Sequence, residues 1–241
     1  MKNEWKIKWF PELDSTNSEL LRHIQEYDNL SVIAARSQTR GRGQRGNSWS
    51  SEPGENLTFS ILVKPSALEA KDFMSITFLA AAAVRDFLKC EGVPAQVKWP
   101  NDIYAGKRKI CGMLIENGLH ESRIAYSVIG IGLNLNQVCF PENIPNPTSM
   151  KLQTGREFEP MQTLNKLLSY FDMGALTRAE ELRRNYLQGL FQKDVARQYR
   201  DIASGEEFTG TIKDVQPDGR LLMETPLGPR LFSFKELSYI L

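Results

Sequence analysis

Apolar residues follow two different periods along the chain, and the two periods predict two kinds of element. Alternation, or a short β-branched run, predicts strands at 31–35, 57–64, 96–99, 110–119 and 123–135. Spacing of three and four residues predicts helices at 18–27, 72–89, 161–171 and 175–191. A stretch rich in proline and asparagine, 141–149, predicts a loop. Strands and helices therefore share one continuous chain, as in an α+β protein.

The last part of the chain has a different pattern. Short alternating segments occur at 206–215, 219–225 and 229–234, with turn residues such as Pro217, Asp218 and Gly219 between them. Short antiparallel strands joined by such turns are typical of a small barrel. We therefore expect two domains, at residues 1–192 and 193–241.

Composition and charge are those of an ordinary globular protein. Hydrophobic residues make up 41% and charged residues 24%, so a core of normal size can form. The formal net charge of +1 provides no global attraction for nucleic acid or an anionic membrane, so any affinity for phosphate must be local. The amino terminus has no apolar signal stretch, and no apolar run reaches the length of a membrane span. We expect a cytoplasmic protein that binds neither nucleic acid nor membrane.

Cysteine and histidine usage disfavours several kinds of chemistry. Cys90, Cys111 and Cys139 are far apart and form no CxxC pair, which argues against a zinc site or a disulfide framework. The two histidines, His23 and His120, have no nearby cysteine or paired acid. Chemistry that needs a histidine base is therefore not expected.

A long polar stretch between two predicted strands contains a Gly/Arg loop. Residues 36–49 carry four arginines, three glycines and no acid. The glycines let the backbone approach a ligand, and backbone N–H groups with guanidinium groups make an anion site. The loop lacks the GK[ST] ending of a Walker motif, and no helix follows it as GxGxxG requires. A disordered RNA-binding segment is the alternative, which the flanking strands disfavour.

Further polar residues and glycines lie at or near strand ends. The segment KWPNDIY presents Asn101 and Asp102 after a strand, although an Asx-type turn explains it equally well. Lys109 opens the apolar run KICGMLIEN, where it can reach an anion or act as an edge lysine that blocks aggregation. Gly130 and Gly132 weaken a strand, which indicates close approach of a ligand or another backbone.

Together these motifs resemble those of the biotin–protein ligases. That family has an STN triplet, a Q-x-x-G-R-G-[RQ] loop, KWPND, a K-[LI]-x-G strand and a G-x-x-x-N strand end. All five occur here in the family's order, at Ser15–Asn17, Gln38–Gln44, Lys98–Asp102, Lys109–Gly112 and Gly130–Asn134. Each motif alone is weak to moderate, but five in order make a specific signal.

The resemblance implies a fold and a reaction. The fold is a mixed β-sheet with flanking helices, like that of class II aminoacyl-tRNA synthetases and biotin–lipoate ligases, plus a small SH3-like C-terminal barrel. The implied enzyme, a biotin–[acetyl-CoA-carboxylase] ligase, uses ATP and Mg²⁺ to activate biotin as biotinyl-5′-AMP. It then transfers biotin to a lysine of a biotin carboxyl carrier protein domain. Family members differ in oligomeric state, so monomer and homodimer both stay open.

The resemblance also implies a role for each matching residue. Residues expected to contact biotin are Ser15, Thr16, Asn17, Gln38, Arg42, Gly43, Gln44, Lys109 and Gly112. Those expected to contact ATP or the adenylate are Arg42, Asn101 and Asn134. Arg42 and Lys109 are the expected catalytic residues, because their cations offset the repulsion between the carboxylate and the α-phosphate. No metal ligand is assigned.

Two further expectations concern the Gly/Arg loop. An acyl-adenylate hydrolyses in water, so the loop is expected to close over it as a lid. Trp49 would anchor that lid or serve as an ordinary core residue. Gln44 stands where many members carry a second arginine, which lowers the local charge unless Arg45 compensates.

Three other functions fit parts of the pattern. A lipoate–protein ligase shares the fold and reaction type, but the GRGQR loop with KWPND favours biotin. A biotin-dependent repressor would need an additional N-terminal helix-turn-helix, and the STN triplet begins too early to leave room for one, so no operator binding is expected. A non-catalytic module on the same fold is disfavoured because both Arg42 and Lys109 are present.

Overall fold

The computed structural model describes residues 4–241, with the side chain of Arg45 outside the described part. Seven strands form the larger sheet: β1 (Lys6–Leu13), β2 (Ser31–Gln38), β3 (Asn56–Val63), β4 (Ala95–Lys98), β5 (Asp102–Ala105), β6 (Arg108–His120) and β7 (Arg123–Asn134). Their spatial order is β1-β2-β3-β7-β6-β5-β4. The β1–β2 pair is parallel and the other pairs are antiparallel, so the sheet is mixed.

Helices cover both faces of this sheet. They are α1 (Thr16–Arg22), α2 (Met74–Cys90), α3 (Met150–Thr154), α4 (Pro160–Leu168) and α5 (Ala179–Gln188). The apolar face predicted for α2 is buried in the main core, where α2 contacts α4, α5 and β4. On the opposite face, α1 lies against β2, β3 and β7 and buries Leu20 with Ile33, Leu62 and Val128. Alternation along β2 explains the division, because Val32 and Ala34 point to the main core and Ile33 points away from it.

The C-terminal part forms a second sheet. Its strands are β8 (Ala196–Asp201), β9 (Glu207–Val215), β10 (Leu221–Thr225), β11 (Gly228–Phe232) and β12 (Leu237–Tyr239). The strands lie in the order β11-β10-β9-β8-β12, and every pair is antiparallel. The predicted fold class, a mixed sheet with flanking helices and a small C-terminal β domain, is confirmed. The domain boundary expected after residue 192 stays a prediction.

Four strands have no counterpart among the predicted elements. They are β1, β5, β8 and β12. The first of these is an edge strand whose polar alternation and Pro11 gave no strand signal, since an edge position tolerates both. The β5 strand begins directly after a turn at 99–101, so the turn interpretation of KWPNDIY holds only for its first half.

Two predicted helices are shorter than their apolar pattern. The helix expected at 18–27 ends at Arg22, and turns follow it. The helix expected at 175–191 is a 3₁₀ turn, Met173–Thr177, followed by α5. In both places the apolar spacing continues through turns, which periodicity alone does not distinguish from helix.

Candidate active site

One cavity of about 1150 Å³ lies where the Gly/Arg loop, the β4–β5 turn, β6, β7 and the end of the chain meet. All eleven residues for which ligand contact is expected line it: Ser15, Thr16, Asn17, Gln38, Arg42, Gly43, Gln44, Asn101, Lys109, Gly112 and Asn134. Residues more than 100 positions apart in the sequence are thus brought to one place. Which ligand atoms each of them contacts stays a prediction.

The STN triplet is held in the cavity wall by the start of α1. The Ser15 hydroxyl caps the helix by accepting from the N–H of Ser18, and the Asp14 carboxylate accepts from the N–H of Ser15 at 2.8 Å. Arg22 binds the same carboxylate with two N–H groups, at 2.6 and 2.9 Å, and this hydrogen bonding holds the pKa of Asp14 well below its usual range. Local interactions therefore fix the backbone from which Thr16 and Asn17 project.

A chain of buried hydrogen bonds runs behind this segment. The Gln38 Oε1 atom accepts from the N–H of Thr16 at 2.8 Å and lies 3.2 Å from its hydroxyl. The Ser60 hydroxyl lies 2.7 Å from Thr16 Oγ1 and 2.5 Å from Asn17 Oδ1. Asn17 Nδ2 donates to the carboxylate of Glu116 at 2.9 Å. Ser60 and Glu116 were not predicted as site residues, since nothing in the sequence places their strands beside α1.

Glycines form the floor of the cavity. A Cβ atom on Gly132 would lie 2.3 Å from the Trp49 indole, and one on Gly112 would lie 3.0 Å from it. A Cβ on Gly130 would lie 2.1 Å from Asn17 Oδ1. The close approach that these glycines indicate is therefore that of the protein's own indole and amide. Trp49 thus anchors the Gly/Arg loop on the floor, and its buried Nε1 has no hydrogen-bond partner among the described residues.

Lys109 lies inside the cavity, paired with an acid. Its ammonium is 2.7 Å from Asp102 Oδ1, across the β5–β6 pair. The strand that carries it, β6, lies between β5 and β7, so Lys109 is not the edge lysine of the alternative interpretation. Its backbone N–H donates to the carbonyl of Asn146 at 2.7 Å, which attaches the 141–149 loop to the cavity rim.

Arg42 is the cation of the Gly/Arg loop that faces the site. The loop is a narrow turn, closed by the N–H of Gly43 to the carbonyl of Asn47 at 2.7 Å. From it the Arg42 guanidinium binds Glu116 through two N–H groups, at 2.7 and 3.1 Å. The loop has no acid of its own, and β6 supplies one. The compensating role expected for Arg45 falls on a side chain outside the described part.

Asn101 and Asn134 line the cavity with amide groups that also hold backbone. Asn101 Nδ2 donates to the carbonyl of Met113, whose N–H donates back to the Asn101 carbonyl at 3.0 Å. Asn134 Nδ2 donates to the carbonyl of Thr148 at 2.9 Å. Their amide N–H groups thus join the β4–β5 turn and the 141–149 loop to the central strands. Their contact with an adenylate stays a prediction.

Sequence reasoning missed the contribution of the C-terminal sheet. Phe234, Lys235, Leu237, Ser238 and Tyr239 all line the same cavity. The Trp99 indole N–H donates to the carbonyl of Gly219 at 2.9 Å, which binds the KWPND segment to that sheet. A contact between positions 120 residues apart leaves no local signal in the sequence.

The described residues contain neither a reactive thiol at the site nor a preformed metal centre. Burial raises the pKa of Cys111 well above its usual range, so this thiol is inert at neutral pH. No group of three His, Cys, Asp or Glu side chains that could hold a metal occurs in the described part of the chain. Of the described residues that line the main cavity, Asp102 is the acidic one. The described helices include none that is long and apolar enough to cross a membrane.

Mixed sheet, glycine floor and paired cations define a class of protein that binds a small acid beside an anion. The family model for biotin/lipoate A/B protein ligases matches residues 9–134. The chain therefore belongs to the biotin/lipoate A/B protein ligase family.

Among curated relatives, the bifunctional ligase/repressor BirA of Escherichia coli is 30% identical, over 89% of this chain and 68% of that protein. The biotin–[acetyl-CoA-carboxylase] ligase of Paracoccus denitrificans is 30% identical, over 66% of this chain and 68% of that protein. The BirA of Bacillus subtilis is 28% identical over 82% of this chain. The chain covers 62% of the length of that Bacillus protein.

Solved structures show the same fold over nearly the whole chain. The biotin protein ligase of Aquifex aeolicus, in complex with biotin and ATP, superposes with a TM-score of 0.77 at 25% identity, and 97% of each chain is covered. The biotin protein ligase of Leishmania major with biotinyl-5-AMP has a TM-score of 0.65 at 19% identity, covering 95% of this chain and 98% of that one. The second likeness concerns the fold alone.

Proposed function

We propose that the protein is an ATP-dependent biotin–protein ligase, which activates biotin as biotinyl-5′-AMP and transfers it to a lysine of a biotin carboxyl carrier domain. The observation that carries this proposal is the division of one cavity. Buried neutral hydrogen-bonding groups, Thr16, Asn17 and Gln38, lie at one end, and the Lys109 and Lys98 ammonium groups lie toward the other. A ligand with a polar uncharged head and an anionic tail suits that arrangement.

The neutral end fits the ureido ring of biotin. Thr16, Asn17 and Ser60 are buried, and their hydroxyl and amide groups are already oriented by one another. A preoriented slot loses little conformational entropy on binding. The glycine floor beside it leaves room for a flat ring and an acyl chain, with the Trp49 indole as an apolar wall.

The cationic part of the site fits the first chemical step. An oxygen of the biotin carboxylate attacks the α-phosphorus of ATP, the bond from that phosphorus to the bridging oxygen breaks, and pyrophosphate leaves. Both reactants are anions, and charge builds on the α-phosphoryl oxygens. Lys109 and Arg42 are suited to stabilise that charge, because each retains N–H donors beyond those that bind Asp102 and Glu116.

The second step needs a proton acceptor. The carrier lysine must attack as a neutral amine, forming an amide bond while the bond between the acyl carbon and the phosphate oxygen breaks and AMP leaves. Asp102 is the carboxylate among the described residues of the main cavity, and Lys109 holds it in place at 2.7 Å. We assign Asp102 to accept the proton of the incoming amine.

Magnesium enters this scheme with the nucleotide. Mg²⁺ is usually bound by one or two carboxylates together with substrate phosphates rather than by an all-protein cage. A single carboxylate in the described lining, Asp102, fits that mode and does not fit a resident metal centre. When bound, Mg²⁺ would neutralise charge on the triphosphate.

Lipoate is the nearest competing acid. Its dithiolane ring carries no N–H or carbonyl group, so it would leave the buried groups of Thr16, Asn17 and Gln38 without ligand partners. A site built to hydrogen-bond a substrate rejects an analogue that lacks those groups. The cavity therefore favours biotin.

Pyrophosphate release tests this choice. With ATP and Mg²⁺ present, biotin should stimulate release, and lipoic acid at the same concentration should have a kcat/KM lower by on the order of 10²-fold or more. Equal stimulation by the two acids would show that the neutral slot does not select biotin. No stimulation by biotin would contradict the proposed activity itself.

A further inference from the structure

Lys98, the first residue of KWPND, lies in an unusual environment. Its ammonium is 5.1 Å from the centre of the Tyr104 ring and 4.4 Å from the centre of the Tyr239 ring. Tyr104 belongs to β5 and Tyr239 to β12, so the lysine lies between the two sheets. Aromatic faces partly stabilise a cation but do not replace a counter-ion.

The Lys98 ammonium has no close anion. Among the described residues it forms neither an ion pair nor a hydrogen bond, and Asp102, the nearest acid acting on it, is paired with Lys109. Burial accordingly lowers the pKa of Lys98, and the charge of Lys109 acts in the same direction. Keeping a cation without a counter-ion in such a place is costly unless a ligand supplies the missing charge.

A second unsatisfied group lies beside it. The Tyr239 hydroxyl is buried and has no hydrogen-bond partner among the described residues. Both residues line the main cavity, together with Ser238 of the same strand. An ammonium and a phenol donor, both without acceptors in one cavity, fit an oxygen-rich anion.

The position in the cavity narrows the choice of anion. Lys98 faces Asp102 across the β4–β5 pair, so it lies beyond the Asp102–Lys109 pair on the side of the C-terminal sheet. The neutral groups proposed for biotin belong to α1 and β2, elsewhere in the wall. An anion at Lys98 is therefore adjacent to the acyl-phosphate position but separate from the acid's head.

We propose that Lys98 and Tyr239 form the subsite for the β- and γ-phosphates of ATP, which leave as pyrophosphate, and that the C-terminal sheet thereby takes part in adenylation. This inference rests on the proposed use of ATP. In that step the bond between the α-phosphorus and the bridging oxygen breaks, and its electron pair goes to the pyrophosphate oxygen. The Lys98 cation stabilises the charge that develops there.

Direct binding tests the subsite without turnover. Titration of the intact protein with inorganic pyrophosphate should give saturable binding that Lys98→Met weakens about 10-fold or more and Lys98→Arg largely retains. Tyr239→Phe should weaken it about 2- to 10-fold. Lys8→Met is a matched control, because the Lys8 ammonium also lies over two aromatic rings, Phe10 and Tyr27, but outside the cavity.

The two half-reactions separate this role from a structural one. Lys98→Met should slow formation of biotinyl-AMP from biotin and ATP by about 10-fold or more. The same variant should transfer biotin from purified biotinyl-AMP to a carrier domain within about threefold of the parent rate, because no pyrophosphate takes part. Lys98→Arg should recover most of the adenylation rate.

Three results would overturn the inference. These are unchanged pyrophosphate binding in Lys98→Met, absence of saturable binding in the parent protein, and equal loss of both half-reactions with a lowered melting temperature. A protein that binds pyrophosphate through Lys98 but forms no adenylate with biotin would contradict the proposed function and leave the anion subsite standing.

Discussion

At the residue scale, Lys109 and Arg42 differ in how the protein holds them. Lys109 is attached to an interior strand and paired with Asp102, whereas Arg42 projects from a loop and binds Glu116 with 42% of its side chain exposed. An interior strand positions a cation before substrate arrives, and a loop allows it to move. The difference assigns a static role to Lys109 and a closing role to Arg42.

Lys109→Ala and Arg42→Ala should each slow biotin-dependent pyrophosphate release by on the order of 10²–10³-fold, because each removes a cation from the developing charge. Lys107→Ala and Arg108→Ala are matched controls, since both side chains are exposed and neither lines the cavity. Circular dichroism should show an intact fold in all four variants. Near-parental turnover in either site variant would contradict the roles given to these residues.

Gly130→Ala should damage the biotin end of the site. The new methyl group would lie 2.1 Å from Asn17 Oδ1, so Asn17 must move away from Ser60 and Glu116. We expect the KM for biotin to rise about 10-fold or more and the free energy of unfolding to fall by about 1–3 kcal/mol. Gly174→Ala, in a 3₁₀ turn away from the cavity, is the control, and an unchanged KM for biotin would argue against the assigned slot.

At the element scale, the strands that carry the site are readable from the sequence and their neighbours are not. The apolar runs of β3, β6 and β7 are long and alternate or are continuous, so they were predicted close to their observed bounds. The polar edge strand β1 and the three-residue β12 have too little local signal. Motif residues on predicted strands were found, whereas Ser60, Glu116 and Tyr239 join the site only through tertiary contacts.

The Gly/Arg loop should change its exchange behaviour when ligands bind. In this structure it is closed by few backbone hydrogen bonds, and Arg42, Gly46, Asn47 and Ser48 are exposed. Biotin with ATP should protect amides of residues 36–49 from hydrogen exchange, because an ordered lid must exclude water from the adenylate. Residues 141–149 give an internal comparison at the opposite rim. Unchanged exchange at 36–49 would remove the lid from the mechanism.

At the scale of the whole molecule, the two sheets share one apolar core. Trp99 of the first sheet and Tyr199, Ile212 and Leu221 of the second belong to the same buried cluster. Continuity of that kind couples the stability of the parts, even though residues 193–241 have their own antiparallel sheet.

Urea unfolding should therefore be a single transition. Tryptophan fluorescence, far-ultraviolet circular dichroism and the signal of a label at Ser204 in the C-terminal sheet should give coincident curves. Separate midpoints for the label and the tryptophans would mean that the C-terminal sheet unfolds independently. In that case the contact between Trp99 and Gly219 contributes little to stability.

The central claim concerns the overall reaction, and the covalent product measures it most directly. The protein should be incubated with biotin, ATP, Mg²⁺ and a biotin carboxyl carrier domain, and the carrier analysed by intact mass spectrometry and peptide mapping. One biotinyl group on the carrier's acceptor lysine, dependent on ATP and abolished by substituting that lysine, is the expected result. An unmodified carrier, or modification by lipoic acid in preference to biotin, would contradict the assignment.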